Sequence, residues 1–190
     1  MLDSFSQELV TLGTQLTAAR RELLPRISPL ARLAYRRISN DAEELRLDYK
    51  PSVKADFAVE LAHVRDRERT YRTTLIGPHR DDLALLLNNQ PAAQYGSEGQ
   101  KRTLAVALKM AQAEYLTGLL GTPPVLLIDD VMGELDAQRR AGLLPLLERA
   151  HHARGQVFMT CTDENWPREL GRNLNRWEIT AGTLRPKANA

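Results

Sequence analysis

The sequence predicts an α/β fold in which a parallel sheet with flanking helices follows a helical arm rich in arginine. Two apolar runs, at residues 125–129 and 157–160, each have the length and continuous hydrophobicity of a strand buried on both faces of a parallel sheet. The segment between them, from Ala137 to about Ala150, has the pattern of an amphipathic helix. Because a strand, a helix and a strand in this order form a right-handed crossover, we expect both strands to share one sheet.

The composition is that of an ordinary globular chain, with 43% apolar and 26% charged residues in a length of 190. The apolar runs are too short to cross a bilayer, and the first residues lack the pattern of a signal peptide. The single cysteine, Cys161, excludes an internal disulfide and a zinc-binding cysteine cluster, so we expect a reducing, cytoplasmic location. Because the net charge is only +2, nucleic-acid binding must be argued from local clusters.

Two helices are predicted at the N-terminus, the first ending near Leu24 and the second running from Leu30 to Ile38. Pro25 and Pro29 are expected to separate them. Six arginines and a single acid lie between residues 20 and 37. We predict that this basic surface contacts DNA phosphates; an ordinary solvated helix face is the alternative. The residues assigned to DNA binding are Arg20, Arg21, Arg36 and Arg37.

A change of composition near Arg72 separates charged helices from apolar strands and glycine turns. It predicts two parts, a helical arm at residues 1–71 and a second domain at residues 72–190. The elements predicted on either side of it are a strand at 45–49, a helix at 53–68, a strand at 73–76 and a hairpin at 83–95 that turns at Asn88 and Asn89.

The loop at residues 77–82 crowds a histidine, an arginine and two carboxylates together. A metal or catalytic site is one interpretation. The other is a structural turn in which Arg80 pairs with a carboxylate.

A helix is predicted to begin at Ser97, whose hydroxyl and Gln100 have the spacing of a capping box. Gly99 is unfavourable in a first helical turn, but it leaves the backbone open to close approach. A helix start with bare N–H groups, a serine hydroxyl and no bulky side chain suits phosphate oxygens. A cap alone would explain Ser97 and Gln100, but not the run Gly99-Gln100-Lys101-Arg102 followed by a strand that ends in carboxylates. We therefore predict phosphate binding by Ser97, Gly99 and Gln100.

Two adjacent carboxylates, Asp129 and Asp130, end the first apolar strand, where open α/β sheets bind ligands. Side chains alternate along an extended chain, so the two acids can take different roles. We predict that Asp129 holds Mg²⁺ and that the catalytic Asp130 polarises an attacking water. Asp136 is expected to cap the following helix.

In their order and spacing, these segments resemble the signature and Walker B motifs of ABC-type ATPases, and nearly the whole chain resembles the C-terminal part of the RecF family. The resemblance implies part of an ABC-type ATPase head that binds ATP and Mg²⁺. It also implies a homodimer with ATP between subunits, and DNA, RecO and RecR as partners at gaps or junctions between single- and double-stranded DNA. Asp136 and Thr162 then join the nucleotide-binding residues, Thr162 at a position where ABC-type ATPases usually carry a histidine.

No Gly-x-x-x-x-Gly-Lys-Ser/Thr loop, the Walker A motif, occurs in these 190 residues. We therefore expect a partial or split RecF-like protein that hydrolyses no ATP by itself and needs an N-terminal lobe, fused or in trans. One alternative is a DNA-binding or partner-docking remnant without nucleotide chemistry. The other is the ATP-binding head of another system, such as a transporter.

Overall fold

The computed structural model describes residues 2–40, 42–152, 155–162 and 175–187. Helices and strands are mixed along the chain, as the predicted α/β fold requires. In chain order they are α1 (Leu2–Ser39), β1 (Leu45–Lys50), α2 (Phe57–Tyr71), a 3₁₀ turn (Pro78–Arg80), β2 (Asp82–Leu87), β3 (Gln90–Pro91), α3 (Ala92–Tyr95), α4 (Glu98–Leu120), β4 (Leu126–Asp129), α5 (Val131–Glu134), α6 (Ala137–His152), β5 (Val157–Thr160), β6 (Arg176–Thr180) and β7 (Thr183–Lys187).

Helix α1 is continuous, so the predicted break at Pro25 and Pro29 is wrong. A proline inside a helix removes a backbone donor and costs about 3 kcal/mol. Here the second half of the helix packs on α4 and α6, and the side chains of Tyr35 and Ile38 are completely buried. Burial of a large apolar side chain stabilises by about 1.5–3 kcal/mol, so packing along this half offsets the two prolines.

The predicted hairpin forms, because Asn88 and Asn89 have positive φ angles of 48° and 65° and turn the chain between β2 and β3. Strand β3 is only two residues long and is followed by helix α3, which the sequence did not predict. Strand β1 pairs antiparallel with β2 and completes a three-stranded sheet.

The strand predicted at residues 73–76 is wrong, since no strand is assigned there. Side-chain oxygens, and not the carbonyls of a neighbouring strand, accept hydrogen bonds from the backbone amides of this segment. The amide of Leu75 donates to Glu68 Oε1 at 2.8 Å, and the amide of Gly77 donates to Ser52 Oγ at 2.9 Å.

Strands β4 and β5 pair in parallel, with Leu126 opposite Val157 and Asp129 opposite Thr160, so the predicted crossover is confirmed. The expectation that both faces are buried is wrong. Alternate side chains, among them Ile128, pack on the core, whereas Leu127 is 79% exposed and Phe158 58% exposed. Among the described elements, α1, α4 and α6 supply the core on the buried side.

Two apolar clusters hold the chain together. The larger one joins the second half of α1 to α4, α6 and β1. The smaller one is built from Val53, Phe57 and Leu61, with Leu9 and Val10 from the first half of α1 packed against it. The boundary near Arg72 stays a prediction. No described helix has both the length and the apolar character that a membrane crossing requires.

Candidate functional site

The start of α4 has the predicted capping box. Ser97 Oγ accepts a hydrogen bond from the amide of Gln100 at 3.2 Å, and Gln100 Oε1 accepts one from the amide of Ser97 at 2.7 Å. Ser97 itself is extended and exposed, as is Glu98, whereas Gly99 and Gln100 are half-buried. This arrangement is suited to a phosphate group.

Gly99 is not required by packing. A Cβ built on it would lie 3.5 Å from Arg139 Nη1, an ordinary contact, and would meet no backbone atom. Gly142 contrasts with it, because a Cβ there would lie 2.3 Å from the carbonyl oxygen of Arg37. The fold therefore explains the glycine at 142 but leaves the one at 99 unexplained, in accord with close approach by a ligand.

Two residues that the sequence did not single out, Glu43 and Tyr35, support this helix start. Glu43 Oε1 accepts a hydrogen bond from Gln100 Nε2 at 2.8 Å, and its Oε2 accepts one from Tyr35 Oη at 2.9 Å. The contact between Glu43 and Gln100 spans 57 positions in sequence, so no local pattern could have revealed it.

The carboxylates of Asp129 and Asp130 are exposed at the C-terminal end of β4, as predicted. Thr160 Oγ1, at the end of β5, donates to Asp129 Oδ1 at 2.5 Å and accepts from the amide of Asp130 at 3.1 Å. Asp130 has a left-handed backbone, with φ 48° and ψ 25°, and its side chain caps no helix. Such strain in a non-glycine residue costs about 1 kcal/mol or more and is often found at functional sites.

The chemistry of these acids fits Mg²⁺, which prefers oxygen ligands and is commonly held by one or two carboxylates together with substrate phosphates. Asp129 Oδ2 is the oxygen that would hold the ion, since Asp129 Oδ1 accepts the hydrogen bond from Thr160. Within the described residues, no group of three or more His, Cys, Asp or Glu side chains is gathered for a metal.

Asp136 caps α6 as predicted, with its Oδ1 accepting from the amide of Arg139 at 2.8 Å. Its other carboxylate oxygen pairs with the Arg139 guanidinium. The backbone bond from Arg139 is the main reason that the pKa of Asp136 is lowered, and the guanidinium adds to it. Because Arg139 also lies against Gly99, the starts of α4 and α6 meet at this arginine.

A second contact joins α4 to the end of α5, just before α6. Arg102 Nε lies 3.3 Å from Glu134 Oε2, and Arg102 Nη1 donates to the Glu134 carbonyl at 3.4 Å. Thr162 lies elsewhere, exposed and two residues beyond the end of β5. The predicted residues thus form two groups, one around Arg139 and one at the carboxyl ends of β4 and β5.

The loop at residues 77–82 is organised around Asp81, whose side chain is only 3% exposed. Its carboxylate accepts hydrogen bonds from the Tyr49 hydroxyl, from the Ser52 amide at 2.8 Å and from Arg20 Nη1 at 2.9 Å. Burial alone would raise the pKa of Asp81, but these bonds, that of Tyr49 foremost, bring it below its ordinary value. The loop is therefore held as a structural turn.

The predicted pairing of Arg80 with a carboxylate is wrong, because its guanidinium donates to the Thr74 carbonyl at 3.0 Å and 3.1 Å. Arg20, which lies on α1, forms the ion pair with the Asp81 carboxylate instead, and it also donates to the carbonyl of Pro78 at 2.6 Å. The other arginines assigned to DNA binding, Arg21, Arg36 and Arg37, are exposed.

Comparison with known proteins gives a consistent set of relatives, although no protein-family model matches the chain. The DNA replication and repair protein RecF of Natranaerobius thermophilus is 42% identical over 179 residues, which cover 85% of this chain and 45% of that protein. RecF of Thermosynechococcus vestitus is 40% identical over 192 residues, covering 95% and 50%. The chain therefore spans about half the length of the curated relatives it matches.

Solved structures that match this chain also include a RecF protein. The structure of "the recombination mediator protein RecF-ATP in RecFOR pathway" matches 98% of this chain and 50% of its own, with a TM-score of 0.76 and 28% identity. An Smc head bound to the C-terminal winged-helix domain of ScpA matches with a TM-score of 0.56 at 12% identity, which supports the fold alone. Over nearly its whole length, this chain is a relative of the RecF proteins and has the α/β fold of their ATPase heads, consistent with their C-terminal part.

Proposed function

We propose that this chain is the signature-bearing part of a RecF-type ATPase that acts in DNA replication and repair. The observation that carries the proposal is the start of α4, where an exposed Ser97 caps the helix and Gly99 leaves room that the fold does not fill. The RecF relatives at 36–42% identity, and a RecF structure described with ATP, support the same assignment.

In this proposal, Ser97, Gly99 and Gln100 face the phosphates of ATP held by the opposite subunit of a dimer, with the α4 N–H groups as donors. Asp129 holds Mg²⁺ through the carboxylate oxygen that Thr160 leaves available. Asp130 orients and polarises the attacking water, and Thr162, exposed beyond the end of β5, is a further nucleotide-binding residue. Bound Mg²⁺ would supply charge neutralisation for the developing phosphate oxygens.

The cradle for the triphosphate is expected in the half of the RecF relatives that this chain does not match. We propose that this half, fused or in trans, completes the head and that the chain alone hydrolyses no ATP. The partially exposed sheet of β4 and β5, with Leu127 at 79% and Phe158 at 58% exposure, supports the need for a further partner segment. RecO, RecR and gapped DNA remain proposed partners, in line with a relative assigned to the RecFOR pathway.

The test combines this chain with the unmatched half of a RecF relative and measures ATP hydrolysis and light-scattering mass. We expect Ser97→Arg to block ATP-dependent dimerisation by filling the contact at the start of α4. Asp130→Asn should preserve ATP-dependent dimerisation and stop turnover. A matched control is Asp66→Asn, an acid that is 97% exposed on α2. Robust hydrolysis by the isolated chain, or full turnover in Asp130→Asn, would refute the proposal.

A second candidate function, DNA binding without nucleotide chemistry, is favoured by one observation. Arg21, Arg36 and Arg37 are exposed along α1. If the reconstituted pair binds DNA equally well with and without ATP and shows no dimerisation, this second function accounts for the chain better.

A further inference from the structure

Glu43 connects two parts of the chain through both of its carboxylate oxygens. It lies in the link between α1 and β1, where Oε2 accepts from Tyr35 Oη at 2.9 Å and Oε1 accepts from Gln100 Nε2 at 2.8 Å. Hydrogen bonds to an ionised carboxylate are about twice as strong as those between neutral groups. The half-buried Glu43 thus fixes the side chain of Gln100 relative to α1.

Gln100 in turn restrains Ser97 through the two hydrogen bonds of the capping box. Its amide nitrogen is held by Glu43, while its amide oxygen accepts from the Ser97 amide at 2.7 Å. The backbone amide of Gln100 donates to Ser97 Oγ at 3.2 Å, so the serine oxygen acts as an acceptor in the capping box. Its own hydroxyl proton can therefore be donated outward to an external oxygen.

Tyr35 holds the other end of this connection in the larger apolar cluster. Its side chain is completely buried among α1, α4 and α6. Burial raises the pKa of Tyr35 and the bond to Glu43 raises it further, so the phenol stays neutral and keeps its proton as a donor. A buried hydroxyl without this bond would incur a desolvation penalty, which gives the Tyr35–Glu43 contact a stable geometry.

We infer that Glu43 is a positioning residue that holds Gln100, and through it Ser97, in the orientation in which the serine hydroxyl meets a phosphate oxygen. It touches neither nucleotide nor reacting water; it acts through Gln100. The chain Tyr35–Glu43–Gln100–Ser97 makes the geometry of the phosphate-facing turn depend on how α1 is docked. The role of this turn in nucleotide binding rests on the proposed function, whereas the positioning itself does not.

The first test measures amide hydrogen exchange by NMR in the full 190-residue chain. The amides of Ser97 and Gln100 report the capping box directly, since each donates one of its two bonds. We expect Glu43→Ala to accelerate exchange at both amides by about tenfold, while amides in the middle of α4, such as that of Ala107, keep their rates.

Two variants separate positioning from general destabilisation. Glu43→Gln should keep exchange at both amides slow, because its amide oxygen can still accept from Gln100 Nε2. Its amide nitrogen replaces the acceptor of Tyr35 with a donor, so the cost of this variant falls on the Tyr35 contact and not on the cap. Glu44→Ala is the matched control, since the neighbouring Glu44 is 73% exposed and pairs with Arg32 at 3.2 Å. Parental exchange in Glu43→Ala, acceleration spread evenly along α4, or no rescue by Glu43→Gln would overturn the assignment.

The second test uses the chain combined with the unmatched half of a RecF relative. Glu43→Ala should raise the ATP concentration needed for half-maximal dimerisation by about tenfold, with Glu44→Ala at the parental value. An unchanged ATP requirement alongside faster exchange would overturn the link to phosphate binding. If the parent pair shows no ATP-dependent dimerisation, the proposed function fails, and the exchange measurement still decides whether Glu43 positions Ser97.

Discussion

The substitution Gly99→Ala tests whether the glycine at position 99 is required for the approach of a ligand or for folding. The added methyl group would lie 3.5 Å from Arg139 Nη1, which is ordinary van der Waals contact with the end of a flexible side chain. No backbone has to move. We therefore expect the variant to fold normally and to lose affinity for ATP at the start of α4, because the methyl group stands where a phosphate oxygen would approach.

The expected change in stability follows from helix propensity. Alanine is more favourable than glycine inside a helix by about 0.5–1 kcal/mol, and the first turn should show the lower end of this range. The unfolding free energy of Gly99→Ala should therefore rise by about 0.5 kcal/mol, or the melting temperature by roughly 1–2 °C. The ATP concentration for half-maximal dimerisation should rise by about tenfold or more, since a clash displaces the phosphate from its N–H donors.

Two other glycines provide the controls. Gly118 lies in the same helix with nothing within 4 Å of a built Cβ, so Gly118→Ala should stabilise the chain and leave ATP-dependent dimerisation unchanged. Gly142→Ala should destabilise it by about 1–3 kcal/mol, because its Cβ would lie 2.3 Å from the Arg37 carbonyl. Chemical denaturation of the chain measures the stabilities. Light scattering across an ATP titration of the chain combined with the unmatched half of a RecF relative measures dimerisation.

Marked destabilisation of Gly99→Ala would show that packing, not a ligand, requires this glycine. Parental ATP dependence in a stable Gly99→Ala variant would equally refute the reasoning, since the methyl group would then occupy space that no phosphate needs.

Three further predictions concern the charged residues. Asp81→Asn should lower the unfolding free energy at neutral pH by about 2–3 kcal/mol. The pKa of Asp81 is lowered in the folded state, so the stabilisation it gives is present above about pH 4 and is lost as pH falls through the folded-state pKa. In denaturation curves measured over a pH series, the unfolding free energy of the variant should therefore fall less steeply at acid pH. Neutralising Arg21, Arg36 and Arg37 together should reduce the slope of log affinity for DNA against log salt concentration by about 2–3. Arg20→Gln should mainly destabilise the loop at residues 77–82, which the ion pair between Arg20 and Asp81 holds. An unchanged slope in the triple variant would show that this face is ordinary solvated surface. Asp136→Ala should cost about 1 kcal/mol of stability by removing the cap of α6, and a loss below a few tenths of a kcal/mol would show that Arg139 and water replace it.

The sequence by itself determined the features that depend on neighbours a few residues apart. Ser97 and Gln100 are three positions apart, so the capping box was readable from their types and spacing. Asn88 and Asn89 tolerate positive φ, so the hairpin turn was readable as well. The crossover of β4 and β5 followed from two apolar runs separated by one helix, because the handedness of such a unit leaves few alternatives.

Only the tertiary structure decided the features that depend on contacts between distant segments. Helix α1 passes through Pro25 and Pro29 because packing on α4 and α6 outweighs a local preference to stop. Asp81 pairs with Arg20 on α1, and not with the neighbouring Arg80, because docking of the helix brings that guanidinium to a buried carboxylate. The support of Ser97 by Glu43 has the same origin: two side chains far apart in sequence satisfy each other's hydrogen bonds only once the helices have packed.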